Sequence, residues 1–298
     1  MLIDVLVVNT MMLKGMDKLR EKLPKYSGNR LAIIPLQSIL AAVFSFVFLI
    51  ALDIVPRLFS DITFLGLIEP LLPIIGSLVI AALALWLISS VWNKREETKS
   101  QLGDFAYQKM FPRGLTGVFM GAALLFHTFT SIRSLPPSPP VNDVTSLLSR
   151  SLLPFLGVSQ EIDIWFRIVL SAIFFVLGVA TVRSALMTFG IDYMAVVYLY
   201  FPEESEVQDH AIYSVVRHPT YLALVLMGIG GLIFRFSVYS ILLFVIIYLV
   251  VRNQISREEK ELVERFGEGY SEYREKVPAL LVHPSKIGLY FKFLRTSE

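Results

Sequence analysis

From residue 31 to residue 54 the chain carries one ionisable side chain, Asp53, in an otherwise apolar and uncharged polar run. Crossing about 30 Å of hydrocarbon takes roughly 20 helical residues, so a run of this length belongs in a bilayer. Further runs occupy about 67–92, 114–132 and 164–189. Peptide groups in lipid must be satisfied inside the protein, and long apolar runs meet that demand as helices. Hydrophobic residues make up 55% of the 298 and charged ones only 17%, which excludes an ordinary soluble domain. Two more apolar runs, 221–234 and 238–251, flank Arg235-Phe236-Ser237. Each is shorter than a span, so they are read as a helical hairpin that is tilted or extended by its flanks. The expected fold is all-α, a polytopic membrane helix bundle of about six spanning helices with this hairpin near its C-terminus.

Local signals refine the picture. Pro56 is expected to end the first helix, and Pro70 and Pro73 to sit in the first turns of the second, where proline is best tolerated. Trp86 and Trp92 mark that helix's interfacial end. Gly190 reads as the residue that closes the fourth helix. Gly228, Gly230 and Gly231 are expected to let the two hairpin helices approach closely. Residues 1–27, with Leu6, Leu13, Met16, Leu19 and Leu23, read as a helix lying in the interface; its first eight residues are mostly apolar with no positive charge, the reverse of a secretory signal, and no cleavage is expected. The link 93–113 is charged. The link 134–163 opens with Pro136, Pro137, Pro139 and Pro140, hence extended, and its part 144–158 is apolar enough to lie on the membrane. An acidic, aromatic loop with Glu203, Glu204, Glu206 and Asp209 covers 193–210. The chain divides into an N-terminal region, 1–160, and a core region, 161–298.

Charge sets orientation and excludes partners. Lys and Arg number 21 on the side of both termini and five on the other, Arg57, Arg133, Arg150, Arg167 and Arg235. The excess places both termini in the cytoplasm. A net charge of +2, with the basic residues scattered between spans, gives no nucleic-acid footprint. There is no cysteine, so disulfides and thiolate chemistry are excluded. No other residue joins His127 at metal-ligand spacing, so it reads as a satisfied buried histidine and no metal is expected. Arg183 is expected to snorkel, Asp53 and Glu69 to sit cheaply near span ends, and 286–295, with Tyr290, Phe291 and Phe293, to anchor at the interface. Nothing in the sequence specifies an oligomeric state.

The chemistry concentrates between Tyr213 and Pro278. Arg217-His218-Pro219-Thr220-Tyr221 precedes the hairpin, and Glu258-Glu259 comes after it. A hairpin returns both clusters to one membrane face. A cationic cluster, two acids and several tyrosines suit a zwitterionic small molecule carrying ammonium and carboxylate groups. The plainer reading is a basic anchor followed by a solvated amphipathic helix.

Spacing sharpens the choice. Arg217 to Tyr221, then a hairpin, then Glu258-Glu259 with Leu262, Phe266-Gly267, Tyr270, Tyr273 and Val277-Pro278 closely resembles the isoprenylcysteine carboxyl methyltransferase family and the related membrane phospholipid methyltransferases. The resemblance covers about 165–284 and includes Thr188-Phe189-Gly190 and Tyr213. It implies a methyltransferase using S-adenosyl-L-methionine, bound facing the cytosol under C-terminal helices, and a lateral opening for a membrane lipid or lipidated acceptor. On the resemblance, cofactor contacts fall on Gln208, Tyr213, His218, Pro219, Thr220, Tyr221, Glu258, Glu259 and Tyr270, with Glu258 meeting the ammonium and Glu259 orienting its neighbour. Phe266 packs the roof. His218 and Arg217 take the catalytic roles, with His218 the nearest base for a neutral acceptor, and Arg252 and Gln254 face the acceptor. The chain departs from the pattern at Ala211-Ile212, where glycine is usual before the tyrosine, at Ala223, and at Gln254, where an arginine usually holds the acceptor carboxylate. An amide cannot neutralise a carboxylate, so the acceptor stays open among carboxylate, amine, thiol and hydroxyl. The competing classes are a sterol-reductase-like enzyme using NADPH, disfavoured by Thr220 and the glutamate pair, and a non-catalytic membrane protein retaining the fold.

Overall fold

A computed structural model describes residues 14–130, 141–204 and 207–296 of the chain. Leu6, Leu13, the four prolines of the 134–163 link and Glu206 lie outside the described residues. Every described element is helical. Six long helices carry the architecture: α1 Ile33–Leu58, α2 Leu72–Asn93, α3 Ala106–Thr130, α4 Gln160–Phe189, α5 Pro219–Arg235 and α6 Val238–Phe266. Of these, α1, α2, α4 and α6 are long and apolar enough to cross a membrane. Helix α3 packs on α1 and α2, and α5 packs on α4, so α3 and α5 fill the space between the others. Large side chains such as Phe44 on α1 and Trp165 on α4 point outward and stay exposed, as lipid-facing positions do.

Several boundaries differ from the sequence reading. Helix α1 continues through Pro56, because proline late in a helix removes one hydrogen bond without displacing the last turn. The second predicted helix is instead broken into Thr63–Ile68 and α2, with Pro70 in the break and Pro73 in the first turn of α2. Helix α3 starts at Ala106 rather than near residue 114 and carries Lys109 and Arg113. Its first turns bury Tyr107, Met110 and Phe111, an apolar face hidden in a stretch that reads as a charged link. Helix α4 starts at Gln160, where the Ser159 side chain accepts from the Ile162 N–H, and ends as expected at Gly190, whose φ is 97°. Helix α6 does not stop near Val251; it runs on as one rod through Glu258 and Glu259.

The hairpin turn is built from Phe236 in the left-handed conformation and Ser237, which caps α6 together with Ser240. Only Gly228 faces the hairpin partner: a methyl there would lie 3.2 Å from Phe244. Gly231 faces Thr128 on α3 and Gly230 faces the Ser171 carbonyl on α4, so those two glycines admit other helices.

The described part of the acidic loop after Gly190 is folded rather than free. It forms the short helices Ile191–Met194 and Val197–Tyr200, which bury Val197, Leu199 and Tyr200 against Tyr107, Met110, Leu19 and Leu23. The described N-terminal stretch, with the short helix Met16–Glu21, therefore spends Leu19 and Leu23 on protein contact. Two C-terminal helices come after α6, α7 Glu268–Lys276 and α8 Ile287–Thr296. In α8, Tyr290 and Phe293 turn inward against α4, where the Tyr290 hydroxyl meets Thr181 at 2.5 Å, while Phe291 and Leu289 face out. The anchor is thus half packed onto protein.

Asp53 and Glu69 correct another expectation. Both are 2% exposed, and charge at that depth is tolerated only when paired. Asp53 meets His127 Nε2 at 2.7 Å and Glu69 meets Arg57 Nε at 3.4 Å. His127 is buried as expected but only half satisfied: Nε2 meets Asp53, while Nδ1 is buried without a hydrogen-bond partner. Arg183 is exposed.

Candidate active site

The chain approaching α5 is fixed by backbone and by Arg217. Its N–H donates to the Pro278 carbonyl at 2.9 Å and the N–H of His218 to that of Ala279 at 3.1 Å. The Arg217 guanidinium donates to Glu259 from Nε at 3.0 Å and Nη2 at 2.5 Å, and from Nη1 to the carbonyls of Arg274 and Val277. Its donors are spent joining three segments, which is the geometry of a clamp. Ile212, Val215 and Val216 are fully buried beneath it.

His218 then sits immediately before α5, with Pro219 opening the helix, where a missing N–H costs nothing. Its ring is 6% exposed and bridges the two acids, Nε2 to Glu259 at 3.2 Å and Nδ1 to Glu258 at 4.0 Å. The two clusters separated by the hairpin therefore meet, as the sequence predicts. Glu258 also accepts from the Tyr198 hydroxyl at 3.0 Å. Tyr213 stacks on Phe189 with ring centres 4.3 Å apart, and its carbonyl accepts from the Tyr273 hydroxyl at 2.7 Å. Tyr270 packs edge-on to Tyr273.

Electrostatics reflect this packing. Burial raises the Glu259 carboxyl, but hydrogen bonds from His218 and Arg217 outweigh it and bring it down to about 2. Burial, followed by the Glu258 charge, pushes the Tyr198 and Tyr213 hydroxyls well up, so both remain donors. Glu259 is a held anion behind the site.

These side chains surround a cavity of about 350 Å³. Its polar end is lined by Gln208, Tyr213, Arg217, His218, Pro219, Thr220, Tyr221, Glu258, Phe266 and Tyr270. The other end runs between α2, α3, α5 and α6 and is lined by apolar or small residues, among them Ala84, Ile88, Val118, Gly121, Leu224 and Val250. Gln254 lies along the same helix one turn before Glu258, lines the cavity at 4% exposure, and has no hydrogen-bond partner for either amide atom.

Two predicted site residues fall elsewhere. Arg252 is exposed and lines no part of the cavity, because residues two apart on a helix point to different sides. Glu259 is behind the lining, holding Arg217 and His218. Several lining residues escape the sequence reading. Tyr198 belongs to a stretch that reads as loop, although its spacing with Tyr200 in an apolar run was a signal. Trp92 lines the cavity with its indole N–H buried and unpartnered. Gly121 and its neighbours on α3 carry no signal, since all apolar span positions look alike in sequence.

Residues 166–269 match the phospholipid methyltransferase family. The chain is 30% identical over 144 residues to the protein-S-isoprenylcysteine O-methyltransferase of Schizosaccharomyces pombe, covering 48% of this chain and 53% of that protein. It is 23% identical over 116 residues to a probable protein-S-isoprenylcysteine O-methyltransferase of Oryza sativa subsp. indica, covering 39% of this chain and 61% of that protein. It is also 33% identical over 87 residues to the methanethiol S-methyltransferase of Pseudomonas deceptionensis, covering 27% of this chain and 30% of that protein. The chain thus spans about half the length of the first of these relatives. No solved structure matches. The family resemblance read from the motifs is borne out, and α1 to α3 lie outside residues 166–269.

Proposed function

Starting from its similarity to the isoprenylcysteine and phospholipid methyltransferases over residues 166–269, we propose that this protein is a membrane methyltransferase that moves a methyl group from S-adenosyl-L-methionine to a lipophilic acceptor. The observation that carries the reading is one cavity with two unlike ends, a charged and tyrosine-rich one at His218 and Glu258 and an apolar one between α2, α3, α5 and α6.

The residues at the polar end fit the donor. Glu258 offers a carboxylate for an ammonium group, and Phe266 and Tyr270 offer aromatic faces. When bound, the donor supplies a methyl group on a positively charged sulfur, already activated toward a nucleophile. The protein then needs only to align and to dry the site: alignment is worth up to about 7–11 kcal/mol, more than a general base supplies. His218 and Tyr221 close one side, Gln208 and Tyr213 a second, and Arg217 with Glu259 keeps the roof of α6 and α7 seated. His218 is the cavity-lining base nearest a neutral nucleophile.

The apolar end selects the acceptor. Arg217 is spent on Glu259 and two carbonyls, and Arg252 points away, so neither of these cations is left to hold a carboxylate there. Gln254 offers an amide NH2 donor group and a carbonyl acceptor instead. The acceptor is accordingly an apolar molecule with an uncharged nucleophile, a thiol, hydroxyl or amine. A thiol acceptor appears in the name of the methanethiol relatives.

Six spans complete the proposal: α3 and α5 cross with the four longer or more apolar helices, both termini are cytoplasmic, and the site faces the cytosol. Region 161–298 holds the donor, while 1–160 walls the acceptor end. Calorimetry on the detergent-solubilised protein tests the reading. S-adenosylhomocysteine should bind the wild type and bind Glu258→Ala about 30-fold or more weakly, the scale of losing a buried charge partner. Binding of NADPH without S-adenosylhomocysteine would replace the methyltransferase by a reductase.

A further inference from the structure

At the opposite end of α5 from His218 lies a second, more open cavity, lined by Phe129, Thr130, Ile164, Arg167, Ile168, Phe234 and Arg235. The 17 residues of α5 separate the two, about 25 Å at 1.5 Å per residue, close to the thickness of a hydrocarbon core. The active-site reading does not use this cavity.

Its two arginines differ in how their charge is met. Arg167 is bidentate to Asp163, Nε to Oδ1 at 2.9 Å and Nη2 to Oδ2 at 3.0 Å, and donates from Nη1 to the Phe234 carbonyl at 2.7 Å. Arg235 donates once, from Nη2 to the Phe129 carbonyl at 3.0 Å. Its guanidinium lies 5.2 Å from the Phe234 ring, its Nε is buried without a partner, and no carboxylate pairs with it among the described residues. One carboxylate thus neutralises the first guanidinium, and the second sits half-buried beside it with none. A cation so placed calls for an anion, and arginine's fork matches phosphate oxygens. The walls say what else the ligand carries. Ile164 and Ile168 are 48% and 44% exposed beside the still more exposed Trp165 and Val169, a surface that suits acyl chains.

We propose that this cavity binds the phosphate of an anionic phospholipid in the leaflet opposite the active site, with Arg235 as the charge it neutralises. A free phosphate shares the anionic chemistry but leaves the isoleucine wall wet, so the lipid is the occupant.

Melting of the full-length protein in neutral detergent tests this with three additions: phosphatidylglycerol, phosphatidylcholine and inorganic phosphate. Phosphatidylglycerol should raise the melting temperature of the wild type by about 3–5 °C, the shift of a ligand well above its dissociation constant. Phosphatidylcholine and inorganic phosphate should move it by less than about 1 °C, and R235M should lose most of the phosphatidylglycerol shift whatever its own baseline. An undiminished shift in R235M, or an equal one from phosphatidylcholine, would overturn the site. An equal shift from inorganic phosphate would overturn the lipid as its occupant. Should R235M fail to fold, R235K keeps the charge without the fork; a reduced shift supports the site and an unchanged one contradicts it.

Discussion

Glu259 keeps its charge to a lower pH than a solvated glutamate, and that has a sign. Its folded value of about 2 lies below the ordinary 4.5, so the contribution is full above about pH 4.5 and is lost as pH falls toward 2. The melting temperature of the wild type should exceed that of Glu259→Gln by a constant margin from pH 7 to pH 5, and the margin should shrink below pH 4.5. A margin that grew on acidification would mean the pair is not formed. Gln254 makes a second prediction at this scale. Gln254→Arg restores a cation at the acceptor end, so methylation of a lipophilic carboxylate should rise and that of a matched thiol or alcohol should fall, each by about tenfold. Equal effects on both would remove Gln254 from acceptor choice. His218 and Glu258 were legible because their motifs are local and a hairpin of known length returns one to the other. Arg252 was misplaced because helix phase, which sends it and Gln254 to different sides, is not visible until the helix is known to run unbroken through both.

The α3–α4–α5–α6 contacts set the next scale. A methyl at Gly231 would come within 1.9 Å of Thr128 Oγ1, whereas one at Gly228 meets only Phe244 ring atoms at 3.2 and 3.3 Å within 3.4 Å. Gly231→Ala should therefore cost about 1–3 kcal/mol through overpacking, read as a lower melting temperature in detergent, with Gly228→Ala closer to neutral. The reverse order would mean that α5 packs on α6 more tightly than on α3. The glycines announced close packing in the sequence, but assigning all three to the hairpin was wrong for Gly230 and Gly231, because one helix face touches three neighbours and sequence spacing names none of them. The start of α3 was missed for a related reason: Lys109 and Arg113 mask the face formed by Tyr107, Met110 and Phe111, which is apolar only toward the segment at Leu199.

Across the whole molecule, the polar end of α6 is tied to both regions of the chain. Glu261 accepts from Arg95 at 2.5 Å and from Arg265 at 2.6 Å, and Arg265 donates to the Tyr198 carbonyl at 2.7 Å. The helix that carries Glu258 is thereby held against the link between α2 and α3, and those helices supply the apolar wall. The bundle and the position of its polar site were readable from run lengths and motifs. The wall was not, because it depends on which faces of α2 and α3 turn toward α5 and α6. The central claim is that a donor at Glu258 and an apolar acceptor beside α3 share one cavity. Gly121 lines that cavity, and a Cβ there would meet no other atom within 4 Å. The direct measurement is transfer of a deuterated methyl group from labelled donor into lipid-soluble product, followed by mass spectrometry, for wild type and Gly121→Leu. The account predicts labelled apolar product from the wild type, about tenfold or more lost in Gly121→Leu, with S-adenosylhomocysteine affinity unchanged. Undiminished labelling in Gly121→Leu, or label found only in water-soluble product, would contradict it.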